Sequence, residues 1–418
     1  MSLVSGWTKK LIGEVCKTGA GGTPLKSFKE YYEGGEIPWL LSGEVAQGEI
    51  FKSENFITQK GLENSSAKMF PVNTVLVAMY GATAGQVGIL RFEAATNQAV
   101  CGILPNDRFI PEYIYYALLS KKAELISKAA GNAQPNISQI KIRNTEIPVP
   151  TLLEQKRIVS IVDEAFEAID IAIDNTKQNL INARELFDSY LNAIFTQKGE
   201  GWIEKKLEEV CLNITDGKHG DCNNEDNSGY FFLSAKDIKQ DRLNYEGARQ
   251  ITKEDFEENH RRTRLEPDDI LITNSGTIGR TAVVMDDDKT YRTTFQKSVA
   301  ILKPIKEKIN SEFCRYSLIA HLNEIVAISS GTAQKNLLLR DIRSHRFYMP
   351  ISIHDQKIIA ARINDICQET QRLEAIYRQK LTALNELKQS ILHKAFTGEL
   401  TADTADLKTN IKPEAICT

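Results

Sequence analysis

Leu152 to Thr196 and Ile353 to Thr397 are two versions of one stretch, displaced by 201 positions. In the first copy Ile158, Val162, Ala165, Ile169, Ala172 and Thr176 advance by steps of four and three. After one extra residue Leu180, Ala183, Phe187, Tyr190 and Ile194 resume the alternation. Adding 201 gives Ile359, Ile363, Ile366, Thr370, Leu373, Tyr377, Leu381, Leu384, Lys388, Ile391 and Ala395, the same seam with the same skip. Its mean spacing is that of a coiled-coil interface. Lys388, in the place of Phe187, is the one poor match, and Leu387 beside it is expected to fill the seam. A helix of about 42 residues rises roughly 60 Å at 1.5 Å per residue, too long for the core of a small domain. Two such helices, each with one apolar stripe, are expected to bury their stripes against each other.

The repeat continues outside the helices. Gly6–Cys16 matches Gly201–Cys211 at an offset of 195; Leu41 and Ser42 match Leu233 and Ser234 at 192; Leu76 and Gly81 match Leu271 and Gly276 at 195. Gln98, Ile103 and Leu104 match Gln296, Ile301 and Leu302 at 198, and Glu112, Tyr116 and Leu118 match Glu312, Tyr316 and Leu318 at 200. So narrow a drift means one ancestral unit, duplicated, with a period far too long for a solenoid. Each unit holds about 150 residues of globular sequence, the size of one domain, followed by a long helix. Short apolar runs at 37–42, 74–79, 230–235 and 269–273, bounded by Gly, Pro and Asn, predict strands. Pro111–Ala129 and Ser311–Ile328 have helical periodicity, opened by Pro and by a capping Ser. The globular parts are therefore α+β. Residues 17–36 and 212–229 share almost nothing although their flanks match, the pattern of one scaffold carrying two different loops.

Composition excludes several classes. The chain has 418 residues with a net charge of -3, and Lys+Arg against Asp+Glu runs 15 to 13 over 1–150, 5 to 9 over 151–200, 23 to 24 over 201–350 and 9 to 9 over 351–418. With no general basic excess, phosphate attraction must come from local patches or partners. No apolar run approaches a membrane span and no signal-peptide pattern opens the chain, so the expected location is cytoplasmic. The seven cysteines are scattered without a CxxC pair, and the six histidines lack ligand spacing, so no metal site is expected. An amino-methyltransferase Pro-Pro-aromatic loop, a P-loop, HExxH and GxSxG are all missing. Pro267, Asp268 and the Asp287–Lys289 run resemble a nuclease pattern, but read better as a turn before a strand and a hairpin tip.

Glycine-bounded loops follow the central strands, Met79–Gln86 and Asn274–Arg280. They are tight turns or phosphate cradles, with Thr83, Thr277 and Arg280 as added donors. GNAQPN (131–136) and GTAQKN (331–336) offer amides suited to adenine edges and a lysine suited to guanine, or else simple turn residues. The basic run His260–Arg264 follows acidic residues and reads as a solvated helix end. Candidate DNA contacts are Thr83, Gln86, Gln98, Gln134 and Asn136 in the first unit, and Lys218, His219, Thr277, Arg280, Gln296, Lys297, Gln334, Lys335 and Asn336 in the second.

With these pieces assembled, the chain resembles the specificity subunit of type I restriction-modification enzymes. The resemblance rests on Gly34–Val45, Leu76–Gly85 with its clearer partner Leu271–Arg280, Ile147–Val159 and Leu387–Leu400, and it covers nearly all of 5–400. It implies two target recognition domains, 1–150 and 201–350, alternating with helical spacers, 151–200 and 351–400, that pack as an antiparallel coiled coil in a pseudo-twofold repeat. Residues 401–418 form a polar tail outside it. It further implies a split, asymmetric double-stranded DNA site read one half per domain. Two modification subunits would bring S-adenosylmethionine, and restriction subunits ATP and Mg, while this chain binds no cofactor and catalyses nothing. A self-contained DNA-modifying enzyme and a coiled-coil scaffold unrelated to DNA are the alternatives.

Overall fold

The structure, a computed structural model, describes residues 7–127, 136–197, 199–328 and 336–402. The chain divides into two units: one takes in the residues up to Lys177 together with those from Gln379, and the other is Gln178–Arg378. Both long helices, Leu152–Thr196 and Ile353–Thr397, therefore run from one unit into the other.

In the first unit a five-stranded sheet has the order Thr18–Ala20, Val100–Ile103, Val75–Ala78, Val87–Leu90, Glu49–Ile50. A smaller sheet has the order Phe56–Ile57, Ile37–Leu40, Ala94–Thr96, Met69–Phe70. In the second unit Cys211–Asp216, Val299–Pro304, Ile270–Thr273 and Thr281–Val283 form the corresponding main sheet, and Phe231–Leu233 pairs in parallel with Thr293–Phe295. The central strands, Val75–Ala78, Ile270–Thr273 and Val299–Pro304, are short, rich in branched residues and almost wholly buried, so each main sheet is packed on both faces at its centre. The expected helices are each broken once, into Pro111–Ser120 with Lys122–Ser127 and Ser311–Ala320 with Leu322–Ile328. The cap of the second is Asn310, whose side chain accepts from Phe313 N, and not Ser311, which is the first helical residue.

Strand pairing corrects two offsets of the repeat. Leu40 pairs with Thr96, and Leu233 with Phe295, so Leu40 and not Leu41 corresponds to Leu233. Val100 pairs with Ala78, and Val299 with Thr273, so the offset there is 199 rather than 198. A one-residue slip exchanges the two faces of a strand. Gln98 therefore stands where the second unit has Lys297, and Asn97 where it has Gln296.

Within each unit a piece of one long helix lies antiparallel to a piece of the other. In the first unit Leu392, Ala395 and Phe396 share a core with Ile158 and Val162, while Lys388 reaches Asp170 and lies 4.7 Å over the Phe166 ring. In the second, Leu191 and Phe195 share a core with Ala360 and Ile363, and Arg184 meets Glu374 at 3.2 Å. No predicted seam position is exposed. Lys388 keeps its place in the seam, however, and Leu387 points outward, 46% exposed. A lysine stem covers apolar surface while its ammonium reaches a carboxylate at the edge, so no leucine is needed.

Each helix starts at a hydroxyl cap: Glu154 N donates to Thr151 Oγ1 and Asp355 N to Ser352 Oγ, both at 3.3 Å. One turn in, a fully buried glutamine ties the helix to the globular part. Gln155 accepts from Ile110 N at 3.0 Å and donates to the carbonyls of Arg108 and Pro150. Gln356 repeats this with Asn310 N at 2.8 Å and the carbonyls of Lys308 and Pro350. Removing either amide would strand buried backbone groups, at about 1–3 kcal/mol each.

Candidate nucleic-acid interface

The Lys218 segment leaves its strand at Gly217, which only glycine can occupy, because a Cβ there would stand 2.0 Å from the carbonyl oxygen of Phe295. Lys218 N then donates to Phe295 O at 2.7 Å, and Lys297 N returns a bond to Lys218 O at 3.0 Å. Lys218, Gln296 and Lys297 are thereby brought onto one ridge. Gln296 Oε1 accepts from Ser298 Oγ at 3.4 Å, and the Lys297 side chain is exposed.

Lys218, one of the two lysines of this ridge, is not free. Lys218 Nζ lies 3.3 Å from Asp255 and 3.2 Å from Glu258. Burial pulls Lys218 down, but its hydrogen bonds to Glu258 and Asp255 outweigh that and hold it above the ordinary lysine range. His219 contacts Asp216 at 2.9 Å. Arg262, from the end of helix Lys253–Thr263, donates to the carboxylate of Asp216 at 2.7 Å and to the carbonyl of Gly217. The basic run His260–Arg264 does end a helix, as expected, but Arg262 is also part of the cluster. Asp255, Glu258 and Arg262 fall at i, i+3 and i+7, one face of a helix, and that spacing was the available signal.

The loop after Ile270–Thr273 turns through Gly276 (φ 75°) and Gly279 (φ 91°). Thr273 Oγ1 closes it, accepting from Arg280 N at 2.9 Å and donating to Thr277 O at 2.5 Å. The Arg280 guanidinium donates to carbonyls only, Ala235 at 3.3 Å and Ile238 at 3.5 Å, and the residue stays exposed. Thr277 is exposed as well, whereas Asn274 is buried with its Oδ1 unbonded.

The first unit builds the same ends with other side chains. Thr23 Oγ1 donates to Gln98, Gly21 packs where a Cβ would stand 2.1 Å from Thr96 Oγ1, and the indole of Trp39 donates to Gly22 O at 2.9 Å. Thr83 ends a one-turn helix, Gly81–Thr83. Gln86 is tethered rather than free, accepting from Lys122 Nζ at 3.0 Å. Asn136 is exposed and bridges Tyr80; Asn336 is exposed. Gln134, Gln334 and Lys335 lie outside the described residues, as does the tail from 403 onward.

Of the nuclease-like residues, Asp268 pairs with Lys306 at 2.7 Å, and Asp287 Oδ1 accepts from Lys289 N at 2.7 Å in the tight turn of its own run. Among the described residues no group of three or more His, Cys, Asp or Glu is placed to hold a metal, and no helix is long and apolar enough to cross a membrane.

A duplicated α+β unit, carried on paired long helices and presenting a loop ridge of amides and cations at one sheet end, is the architecture found here. Residues 4–183 and 199–383 match the family described as type I restriction modification DNA specificity domain, and the chain belongs to that family. It is similar to the EcoR124I/EcoR124II specificity subunit of Escherichia coli, at 28% identity over 193 residues, 45% of this chain and 48% of that one. It is also similar to the MjaIX specificity subunit of Methanocaldococcus jannaschii, at 29% over 235 residues, 51% of this chain and 53% of that one. Each match spans about half of the relative's length. In fold it is similar to a chain solved in a type I restriction-modification system, with a TM-score of 0.76 at 21% identity, covering 95% of this chain and 99% of that one.

Proposed function

We propose that the segments 1–150 and 201–350 each read one half of a split, asymmetric double-stranded DNA site, and that the helical segments 151–200 and 351–400 set the gap between the halves. One observation carries this reading. The two units keep the same sheet and the same glycine at the loop's closest approach, yet at the ridge Gly22, Thr23, Asn97 and Gln98 face Lys218, His219, Gln296 and Lys297. A shared backbone with exchanged donors and acceptors is what different base edges require. In the second unit Lys218, Lys297 and Arg280 are assigned to phosphate or guanine, and Gln296 and Asn336 to base edges; in the first, Gln98 and Asn136 take the base-edge role and Thr83 a phosphate.

On this reading two modification subunits dock on the chain and methylate adenine from S-adenosylmethionine, and restriction subunits add ATP- and Mg-dependent cleavage. The assembly works in the cytoplasm, and the modest charge of this chain is offset by partners that close around DNA. The test is single-molecule sequencing of N6-methyladenine in a methylation-free host carrying this chain and its co-encoded methyltransferase, against the methyltransferase alone. A split motif present only with this chain is the expected result; no motif in either host would contradict the reading and favour a scaffold without a DNA role.

A further inference from the structure

The main sheet of the second unit has two ends, and the residues assigned to DNA occupy only one. Asp216, Val299 and Thr273 lie toward the ridge, and Cys211, Pro304 and Ile270 toward the other end. Strands of four to six residues separate the two ends by about 13–20 Å. At the far end is a cleft of about 990 Å³. Leu212 lines it from one edge strand, 76% exposed, and Met285 and Tyr291, 67% and 50% exposed, from the loop beyond the other; Met285 with Tyr291 is an apolar surface of the kind that marks an interaction site. Six carboxylates line the cleft, Glu266, Asp268, Asp269, Asp286, Glu307 and Glu312, against Lys303 and Lys306, and with Glu312 paired to Arg315 at 2.8 Å the excess is three negative charges. That charge repels DNA and favours a cation.

The first unit, built on the same plan, lacks this surface. Its turn is the same: Asn73 (φ 69°) and Asp268 (φ 74°) share the left-handed conformation, and their N–H groups bond Leu90 O and Val284 O. The next residues differ. Arg91, after Leu90, folds back onto Asn73 Oδ1 at 2.7 Å and pairs with Glu49 and Glu112. Met285, after Val284, stands out. Pro71, Asn73 and Thr74 replace Glu266, Asp268 and Asp269. The first unit covers this turn with Arg91; the second pairs Asp268 and Asp269 with Lys306 and Lys303 but leaves Met285 exposed over it.

We propose that this cleft docks a lysine- and arginine-rich segment of a protein partner, anchored by an apolar side chain on Met285 and Tyr291, one segment per chain. The proposal rests on the reading that the opposite end of the sheet takes DNA. The test places a benzophenone amino acid at Met285, and as control at Val72 in the first unit, in the full chain purified with its co-encoded methyltransferase and restriction subunits on DNA. The expected result is a cross-link from position 285, and none from 72, to a basic segment of one subunit. Glu266→Lys with Asp286→Lys should weaken that subunit's binding about tenfold, since opposed rim charges disfavour association, while the methylated motif stays the same. Cross-links only to DNA, or to a second copy of the chain, or none at all, would overturn the proposal, as would unchanged affinity for the double variant. The expected cross-link in a complex that methylates no split motif would instead remove the DNA reading and leave the docking site standing.

Discussion

Lys218 is held by two carboxylates in the absence of DNA, so phosphate or base must compete with Asp255 and Glu258 for it. Lys218→Gln should lower affinity and reduce the slope of log affinity against log salt by about one, while Glu258→Gln should raise affinity a few-fold; salt titrations of binding by the assembled complex measure both. Methylation mapping should show the other half of the site unchanged. A second residue sets an acid limit. His345 is buried, its Nε2 lacks a hydrogen bond, and burial, aided by His321, pushes it down to about 4. The unfolded chain takes up this proton near pH 6.5 and the folded chain only near 4, so stability is intact above 6.5 and falls as pH drops through that window. The loss is roughly 3 kcal/mol. His345→Phe should flatten that part of the unfolding profile, measured by denaturant midpoints from pH 7 to 4. At this scale the sequence was least informative. Gly21 and Gly217 meet the same close approach, yet they sit in segments that share almost no other identity. Gln86 looked available until Lys122, 36 positions away, was seen to hold it.

The long helices were legible because their stripe obeys one period over many turns, which local exceptions cannot hide. The exception itself was misjudged: pattern reasoning ranks leucine above lysine at a buried seam, but the side chain at 388 extends along Phe166 to Asp170. Leu387→Lys should therefore change stability by less than about 0.5 kcal/mol, whereas Ile363→Ala, at a fully buried position, should cost about 2–5 kcal/mol; thermal or denaturant unfolding of the two variants checks the ranking. The strands were legible in place but not in register. Short apolar runs with repeated Ile and Leu align equally well one residue out, and only the partner strand decides which residue faces which core.

For the whole molecule, the duplication and the two long helices were readable from the sequence alone. The polarity of each main sheet was not, because it brings together residues as far apart as Leu212, Met285 and Lys306. Each helix runs from one unit into the other, so on the proposed reading helix length sets the gap in the DNA site. Removing the same whole number of turns from both helices should change the number of base pairs between the half-sites and leave both half-sites as they were; methylation sequencing reads the two quantities separately.

The paired glutamines, Gln155 and Gln356, bear on that experiment. Each fastens its globular part to the helix at a single angle about the helix axis, since three hydrogen bonds to three fixed backbone groups admit no other setting. A residue inserted between the glutamine and the seam turns that setting by about 100°. On the proposed reading such a change would leave every local contact of the sheet in place and turn its loops away from the bases, so edits of whole turns should be tolerated and fractions of a turn should not.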